Sequence, residues 1–192
     1  MAGSSLPKEV NSKNLIRVCN LLNTITDEYA VFFGTMLGIH RDGDVIDGDD
    51  DCDFYLPSKL YNEVKNLLLS NGYTLSPYDT KDTFTQFKTI IDSQEVLIDL
   101  YYYFDYDEDY VIDKWNFFGQ PHNPDKWIAI PKHALFDFKP VTYKGTTILT
   151  PNNPEYLCKY LYGERYKEKL IKGKEYTMEI IGNFPQIIYI NT

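Results

Sequence analysis

An acidic stretch of the chain, residues 42–53, lies between two apolar runs, residues 30–33 and 54–56. Within it Asp51 and Asp53 are separated by one residue, so on a β-strand their side chains point to the same face. Two carboxylates this close repel each other and, when half-buried, raise each other's pKa. Because that strand contains no lysine or arginine, a hard divalent cation such as Mg²⁺ is the natural counter-charge, and it leaves coordination positions open for substrate phosphates. The spacing therefore indicates a metal site.

Asp99 is the candidate for a third ligand. It is the one charged residue in the apolar run VLIDLY, residues 96–101, and a buried carboxylate is costly unless it is paired or bound to a metal. Lys88, on the neighbouring predicted strand, is the competing explanation: it is either a salt-bridge partner beside Asp99 or a contact for a substrate phosphate. Three carboxylates from two strands suit a phosphoryl-transfer site with two metal ions roughly 4 Å apart.

Plainer interpretations of the aspartates remain open at this point. A solvated loop would explain Asp42, Asp44 and Asp47, each taken singly. A structural role without metal binding also remains open for Asp51 and Asp53. A calcium loop of the EF-hand type does not fit. Counted from Asp42 or from Asp47, the sixth position is an aspartate or a cysteine rather than the glycine that such a loop requires.

Gly34 and Thr35 end the first apolar run. A glycine at the end of a buried strand lets the backbone approach a ligand closely, and the N–H groups of the next turn can hold a phosphate. A single Gly-Thr pair is weak evidence, but fifteen residues separate Thr35 from Asp51, and the combination with the paired aspartates is more specific.

The segments that must position these residues can be predicted from periodicity and turn signals. Short polar or Gly-containing turns separate most of them, and residues 105–126, acidic and aromatic without a clear period, form an insertion or a substrate-facing loop. The predicted elements are a helix over 8–28, a strand over 30–33, one or two helical turns over 36–41, a loop over 42–50, a strand over 51–56, a helix from Leu60 to the cap at Asn71-Gly72, strands over 83–91 and 95–104, a hairpin over 141–149 and a helix over 154–162.

Composition sets the broad class of the protein. The 192 residues are 43% hydrophobic, enough for one globular domain over residues 1–192 with its core at about 8–170. A net charge of −9 speaks against general electrostatic binding of nucleic acid or anionic membranes. Three widely spaced cysteines, a start without signal-peptide character and the lack of a membrane-length apolar run predict a cytoplasmic protein without disulfides. The order of elements predicts an α+β fold, a mixed sheet flanked by helices.

The sequence resembles the LicD and fukutin family, whose members have a nucleotidyltransferase-like fold. The family pattern G-T-L-L-G-x-x-R followed by aspartates ending in D-x-D resembles the segment from Gly34 to Arg41 and the run Asp49-Asp50-Asp51-Cys52-Asp53. The segment VLIDLYYYF resembles a later family strand whose aspartate matches Asp99. The similarity extends over roughly residues 28–170, with supportive matches at Phe138, Pro151 and Tyr162-Gly163.

The resemblance implies a transferase that moves a phospho-alcohol, such as phosphocholine or ribitol phosphate, from a CDP-linked donor to a sugar hydroxyl of a glycan or glycolipid. It implies Mg²⁺ or Mn²⁺ as cofactor, a nucleotide donor and a carbohydrate acceptor as partners. Asp51, Asp53 and Asp99 would act as catalytic residues and metal ligands. Gly34-Thr35, Arg41 and Lys88 would contact the substrate, although Arg41 has an equal claim to be a plain surface residue.

Several features leave other functions open. The Pro-Trp pair that often precedes the aspartates in bacterial members is Asp47-Gly48 here, and neither a zinc-binding Cys/His cluster nor a preceding anchor segment is evident. A nucleotidyltransferase that adds a nucleotide to a protein, an RNA or a small molecule would use the same carboxylates. A non-catalytic nucleotide-binding module of the same fold is a further alternative. Tyr101, Tyr103, Trp115 and Trp127 either stack on a base or sugar or belong to the core.

Overall fold

A computed structural model of the protein describes residues 6–81, 83–113, 115, 128–170, 175, 177–181 and 184–188. Five α-helices, two short 3₁₀ turns and eleven strands occur in these parts of the chain. The helices are α1 (Lys8–Leu22), α2 (Phe33–Asp42), α3 (Tyr61–Ser70), α4 (Lys132–Leu135) and α5 (Pro154–Tyr162). The strands are β1 (Ala30–Val31), β2 (Asp53–Pro57), β3 (Thr74–Asp79), β4 (Phe84–Ile91), β5 (Gln94–Asp105), β6 (Tyr110–Asp113), β7 (Ile128–Pro131), β8 (Lys139–Tyr143), β9 (Thr146–Thr150), β10 (Thr177–Ile181) and β11 (Phe184–Ile188).

The central sheet has seven strands. Five of them lie in the order β1-β2-β5-β4-β3, while β6 pairs with β5 and β7 pairs with β6. The pairing of β2 with β5 is parallel, and the other pairs are antiparallel, so the sheet is mixed. The hairpins β8–β9 and β10–β11 form separate two-stranded sheets.

Helices pack on both faces of the central sheet, because successive side chains of its strands point to opposite faces and both faces carry buried apolar residues. On one face α1 and α3 pack against residues such as Phe54 and Leu100 of β2 and β5. On the other face α2, α4 and α5 pack against Tyr55 and Tyr103 of the same two strands. The predicted α+β fold, with a mixed sheet flanked by helices, is confirmed.

Element boundaries differ from the predictions at the start of the chain. Helix α1 ends at Leu22 rather than 28; Asn23 stands at its C-cap, and the Asn23 side chain accepts a hydrogen bond from the hydroxyl of Tyr29 (2.8 Å). The strand predicted over 30–33 stops at Val31, and α2 starts at Phe33 and runs for ten residues, longer than the one or two turns expected. Gly34-Thr35 therefore lies in the first turn of a helix and not in a turn that follows a strand.

The predictions further along the chain are confirmed or corrected as follows. The helix α3, the strands β4 and β5, the β8–β9 hairpin and the helix α5 lie where periodicity placed them. Five strands and one short helix were missed: β3, β6 and β7, the two strands of the β10–β11 hairpin, and α4. Residues 110–113 form β6, so this part of the predicted insertion is wrong; residues 114 and 116–126 lie outside the described part of the chain.

Candidate active site

The parallel pairing of β2 with β5 brings two aspartates together. The register places Asp53 directly opposite Asp99, and both side chains are almost completely buried, at 6% and 7% exposure. Asp51 precedes β2, and one oxygen from each of Asp51, Asp53 and Asp99 lies within 4.8 Å of the others. The structure therefore brings the three predicted carboxylates to one point.

Asp51 is not part of β2, which begins two residues later, yet the backbone between them is held in a ladder. The Cys52 N–H donates to the carbonyl of Leu97 (3.2 Å), and the Asp99 N–H donates to the carbonyl of Cys52 (2.9 Å). Cys52 is fully buried on the opposite side. The alternation expected of a strand thus extends to Asp51 and explains why its carboxylate reaches the same place as that of Asp53.

The N-terminus of α2 points at the Asp53 carboxylate. The Thr35 N–H donates to Asp53 Oδ2 (3.2 Å), and Thr35 Oγ1 accepts from the Asp53 N–H (2.8 Å). The first turn of a helix carries partial positive charge, which favours a carboxylate there. A Cβ added to Gly34 would stand 3.2 Å from Asp53 Oδ2 and 3.2 Å from Asp49 Oδ2. Gly34 is therefore the residue that lets two carboxylates approach the helix.

Asp49 is a member of the site that we did not predict. Its carboxylate lies next to Gly34 and is close enough to Asp51 for electrostatic repulsion. The backbone around it is held by Asn11 of α1, whose Nδ2 donates to the carbonyls of Asp49 (3.2 Å) and Asp51 (2.8 Å). The run of consecutive aspartates was the available signal, but no local pattern says which of them turn inward.

Two further residues contact Asp99. Gln86 Nε2 donates to Asp99 Oδ1 (2.9 Å) from the paired position on β4, and the Tyr101 hydroxyl lies 3.5 Å from Asp99 Oδ2. The single amide in the strand TFTQFKTII, whose other residues are apolar or hydroxyl-bearing apart from Lys88, was the signal for Gln86. Gln86 fixes one carboxylate oxygen of Asp99 and leaves the other turned toward Tyr101.

The carboxylates of the cluster are buried and repel one another, so a bound cation would stabilise their charged forms. Burial, and after it the charges of Asp51, Asp49 and Asp99, raise the pKa of Asp53 well above its usual range. Burial and the charge of Asp51 raise the pKa of Asp99 to about 8, against the hydrogen bond from Gln86, and burial with the charges of Asp51 and Asp50 raises the pKa of Asp49 to about 8.

Within the described part of the chain no lysine or arginine forms an ion pair with Asp49, Asp53 or Asp99. Carboxylate oxygens that converge in this way are the donor set that Mg²⁺ and Mn²⁺ take in proteins. The residues present fit a divalent metal ion, and the cluster can hold one.

Arg41 and Lys88 do not join the carboxylates. Arg41 lies in the last turn of α2, where it donates to Asp42 (2.8 Å) and to the carbonyl of Glu168 (3.4 Å). Lys88 is paired with Glu95 (2.9 Å). The register places Gln86, not Lys88, opposite Asp99, so the interpretation of Lys88 as the neighbour of Asp99 is wrong. Contact of Arg41 or Lys88 with a substrate phosphate stays a prediction.

A comparison with protein families agrees with this geometry. Residues 27–153 match the model described as "LicD/FKTN/FKRP, nucleotidyltransferase domain". The chain belongs to the LicD/FKTN/FKRP family. The match includes Gly34, the aspartate run and Asp99. It ends at 153, so the resemblance noted from there to residue 170 stays a prediction. No curated protein sequence matches this LicD-family chain significantly.

A solved structure shows a similar fold for this LicD-family chain. A lincosamide antibiotic adenylyltransferase, LnuA, with lincomycin bound, is similar with a TM-score of 0.54 and 15% identity, covering 74% of this chain and 81% of that one. A Thermotoga maritima protein assigned as a nucleotidyltransferase gives a TM-score of 0.46 and 12% identity, covering 79% of this chain and 82% of its own, which is too distant to define the fold. Among the described residues no helix is long and apolar enough to cross a bilayer. The chain is a transferase-family domain with the nucleotidyltransferase fold.

Proposed function

We propose that the protein transfers a phospho-alcohol, of the phosphocholine or ribitol phosphate kind, from a CDP-linked donor to a sugar hydroxyl of a glycan or glycolipid. The observation that carries this proposal is the convergence of Asp51, Asp53 and Asp99 within 4.8 Å at the N-terminus of α2. Membership of the LicD/FKTN/FKRP family supports the class of reaction.

Asp51, Asp53 and Asp99 would hold Mg²⁺ or Mn²⁺, which when bound supplies positive charge for the donor diphosphate and the leaving nucleotide. Thr35 keeps Asp53 in place through two hydrogen bonds, and Gly34 leaves room beside the carboxylates. The N–H groups in the first turn of α2 are suited to a phosphate oxygen. Each of these residues binds or orients, so the chain contributes mainly positioning and electrostatics.

The reaction itself moves one proton and exchanges one bond at phosphorus. The acceptor hydroxyl oxygen forms a bond to the phosphorus of the phospho-alcohol, and the bond from that phosphorus to the CMP oxygen breaks, so CMP leaves with the electron pair. Asp99 accepts the hydroxyl proton as general base. Gln86 donates to Asp99 Oδ1 and the Tyr101 hydroxyl lies 3.5 Å from Oδ2, so these two side chains orient the carboxylate for this task.

The same carboxylates would also support attack on the phosphorus of a nucleotide. The similarity in fold to an adenylyltransferase makes nucleotide transfer to a protein, an RNA or a small molecule the alternative outcome of the test. A non-catalytic nucleotide-binding module is a second alternative. Products separate the three: phospho-alcohol transfer releases CMP, nucleotide transfer leaves the nucleotide on the acceptor, and a binding module gives neither.

The test is a panel of CDP-alcohols and nucleoside triphosphates with sugar acceptors and Mg²⁺ or Mn²⁺, analysed by mass spectrometry. We expect CMP together with an acceptor that has gained a phospho-alcohol. Asp53→Asn and Asp99→Asn should abolish the product. Asp92→Asn is the matched control, because Asp92 is half-exposed in the β4–β5 turn and its ion pair among the described residues is with Lys13. Transfer of the nucleotide, or full turnover by Asp53→Asn, would contradict the proposal.

A further inference from the structure

A row of aromatic rings lies next to the carboxylate cluster on the same face of the sheet. Tyr101 follows Asp99 by two residues on β5, so both side chains lie on the same face of the sheet. The register that places Gln86 opposite Asp99 places Phe84 opposite Tyr101. The Phe84 and Tyr101 ring centroids are 5.0 Å apart. One step of two residues along a strand is about 7 Å, so these rings border the carboxylate site directly.

Trp115 extends this row towards solvent. Its ring stacks on Phe84 with the centroids 4.1 Å apart and the planes 15° from parallel. The Phe84 ring is 3% exposed and is held in place by the residues around it, whereas Trp115 is only half-buried. A large planar side chain that remains partly open to solvent beside a site for phosphates is a typical stacking surface.

The backbone of Trp115 is anchored by a buried carboxylate. The Trp115 N–H donates to Asp113 Oδ1 (2.7 Å), and Asp113 has no exposed surface. Asp113 lies opposite Tyr103 at the end of β6, on the same face as Tyr101. The indole is thus held at its ring by Phe84 and at its backbone by Asp113, which lowers the entropic cost of ordering it when a ligand binds.

We propose that Trp115, supported by Phe84, is the surface on which the base of the donor nucleotide stacks. The inference rests on the proposed function only in taking the donor to be a nucleotide. A nucleotide whose phosphates are held through a metal ion at Asp51, Asp53 and Asp99 would have its base one ribose away, on the scale of the step from Asp99 to Phe84. The near-parallel Phe84–Trp115 pair favours a flat ligand, because a third flat ring continues the stack and a puckered sugar ring does not.

Tryptophan fluorescence tests the proposal directly. The chain has two tryptophans, Trp115 and Trp127, so a Trp127→Phe variant reports on Trp115 alone. We expect CDP with Mg²⁺ to quench this fluorescence in a saturable way, and calorimetry to give the same Kd. Trp115→Ala should weaken CDP binding roughly ten- to a hundredfold, the range for loss of one base stack, while Trp115→Phe, which keeps a flat ring, should stay within about threefold.

The matched control is Tyr78→Ala, which removes an aromatic ring that is 59% exposed on β3 and should leave CDP binding unchanged. Circular dichroism of Trp115→Phe checks folding without loss of the ring. If CDP binds through Asp53 but neither quenches Trp115 nor weakens in Trp115→Ala, the stacking proposal is wrong and the proposed function stands. A selective rise in the acceptor KM would also overturn it, by assigning Trp115 to the sugar. If no nucleotide binds with metal and Asp53→Asn changes nothing, both proposals fail.

Discussion

Asp53 is the most constrained single residue of the site: it is buried, opposite Asp99, bonded to Thr35 and surrounded by other carboxylates. Asp53→Asn removes one negative charge while keeping the shape. We expect kcat/KM to fall by at least about a thousandfold, because a bound metal contributes several kcal/mol of transition-state stabilisation. The metal-free protein should keep its Tm or gain a few degrees, because repulsion within the cluster is reduced. Activity assays and thermal unfolding in EDTA measure the two effects.

Gly34 gives a second prediction at the residue scale. Gly34→Ala places a Cβ 3.2 Å from Asp49 Oδ2 and from Asp53 Oδ2, so one or both carboxylates must move by a few tenths of an ångström. Alanine is otherwise better than glycine in a helix by about 0.5–1 kcal/mol. We expect Mn²⁺ affinity to fall about ten- to a hundredfold, as when the surroundings of metal ligands are disturbed, with little loss of stability. Normal Mn²⁺ affinity in calorimetry would show that the carboxylates do not need this clearance.

At the scale of elements, α1 holds the aspartate loop through Asn11. The Asn11 side chain is 1% exposed; it donates to the carbonyls of Asp49 and Asp51, and its Oδ1 accepts from the Cys52 thiol (3.0 Å). Asn11→Ala should lower Mn²⁺ affinity roughly tenfold or more, as loss of an outer-shell partner does. It should also cost about 1–3 kcal/mol of stability for the buried groups left unpaired. Asn62→Ala on the exposed side of α3 is the control and should change neither quantity.

The packing of α2 against the same loop depends on Gly38. A Cβ on Gly38 would stand 2.7 Å from the carbonyl oxygen of Asp44 and 3.0 Å from the backbone N of Ile46, and backbone cannot yield as a flexible side chain does. Gly38→Ala should therefore destabilise the fold by about 1–3 kcal/mol, the cost of overpacking. Urea unfolding measures it. A variant as stable as the wild type would show that the loop can move away from α2 freely.

For the whole molecule, the buried Asp113 links stability to pH. Burial raises the pKa of Asp113 well above its usual range, against the hydrogen bond from the Trp115 N–H, and its Oδ2 has no partner among the described residues. In the unfolded chain this carboxyl titrates near pH 3.9. Above that pH the unfolded state ionises first, so the contribution of Asp113 to stability falls by up to about 1.4 kcal/mol per pH unit until the folded pKa is reached.

Asp113→Asn removes this contribution. We expect the variant and the wild type to have similar free energies of unfolding near pH 4 and the variant to be more stable at pH 8, in urea titrations with EDTA present. The carboxylates of the metal site titrate in both proteins, so the difference between the two curves isolates Asp113. A variant that is less stable than the wild type at pH 8 would contradict the assignment.

The sequence alone determined the residues that could do chemistry and the faces on which they lie. The one-residue spacing of Asp51 and Asp53 and the single charge within residues 96–101 are local patterns, and strand alternation converts them into directions without any knowledge of the fold. Long periodic segments such as α5 and the β4–β5 pair were predictable for the same reason. The family pattern around Gly34 pointed to the same residues.

Only the tertiary structure decided which strands are neighbours and in what register. The parallel pairing of β2 with β5 places Asp53 opposite Asp99, and nothing local to either strand fixes that register. The β4–β5 register, which places Gln86 rather than Lys88 opposite Asp99, is instead set by the two-residue turn Asp92-Ser93. Asp49 joins the site next to Gly34, and Asn11 supports its backbone, because the loop between α2 and β2 packs against α1. The contacts of Asn11 with the backbone of Asp49 and Asp51 join residues 38 and 40 apart and carry no periodic signal in the chain, so they are set by packing and not by local sequence.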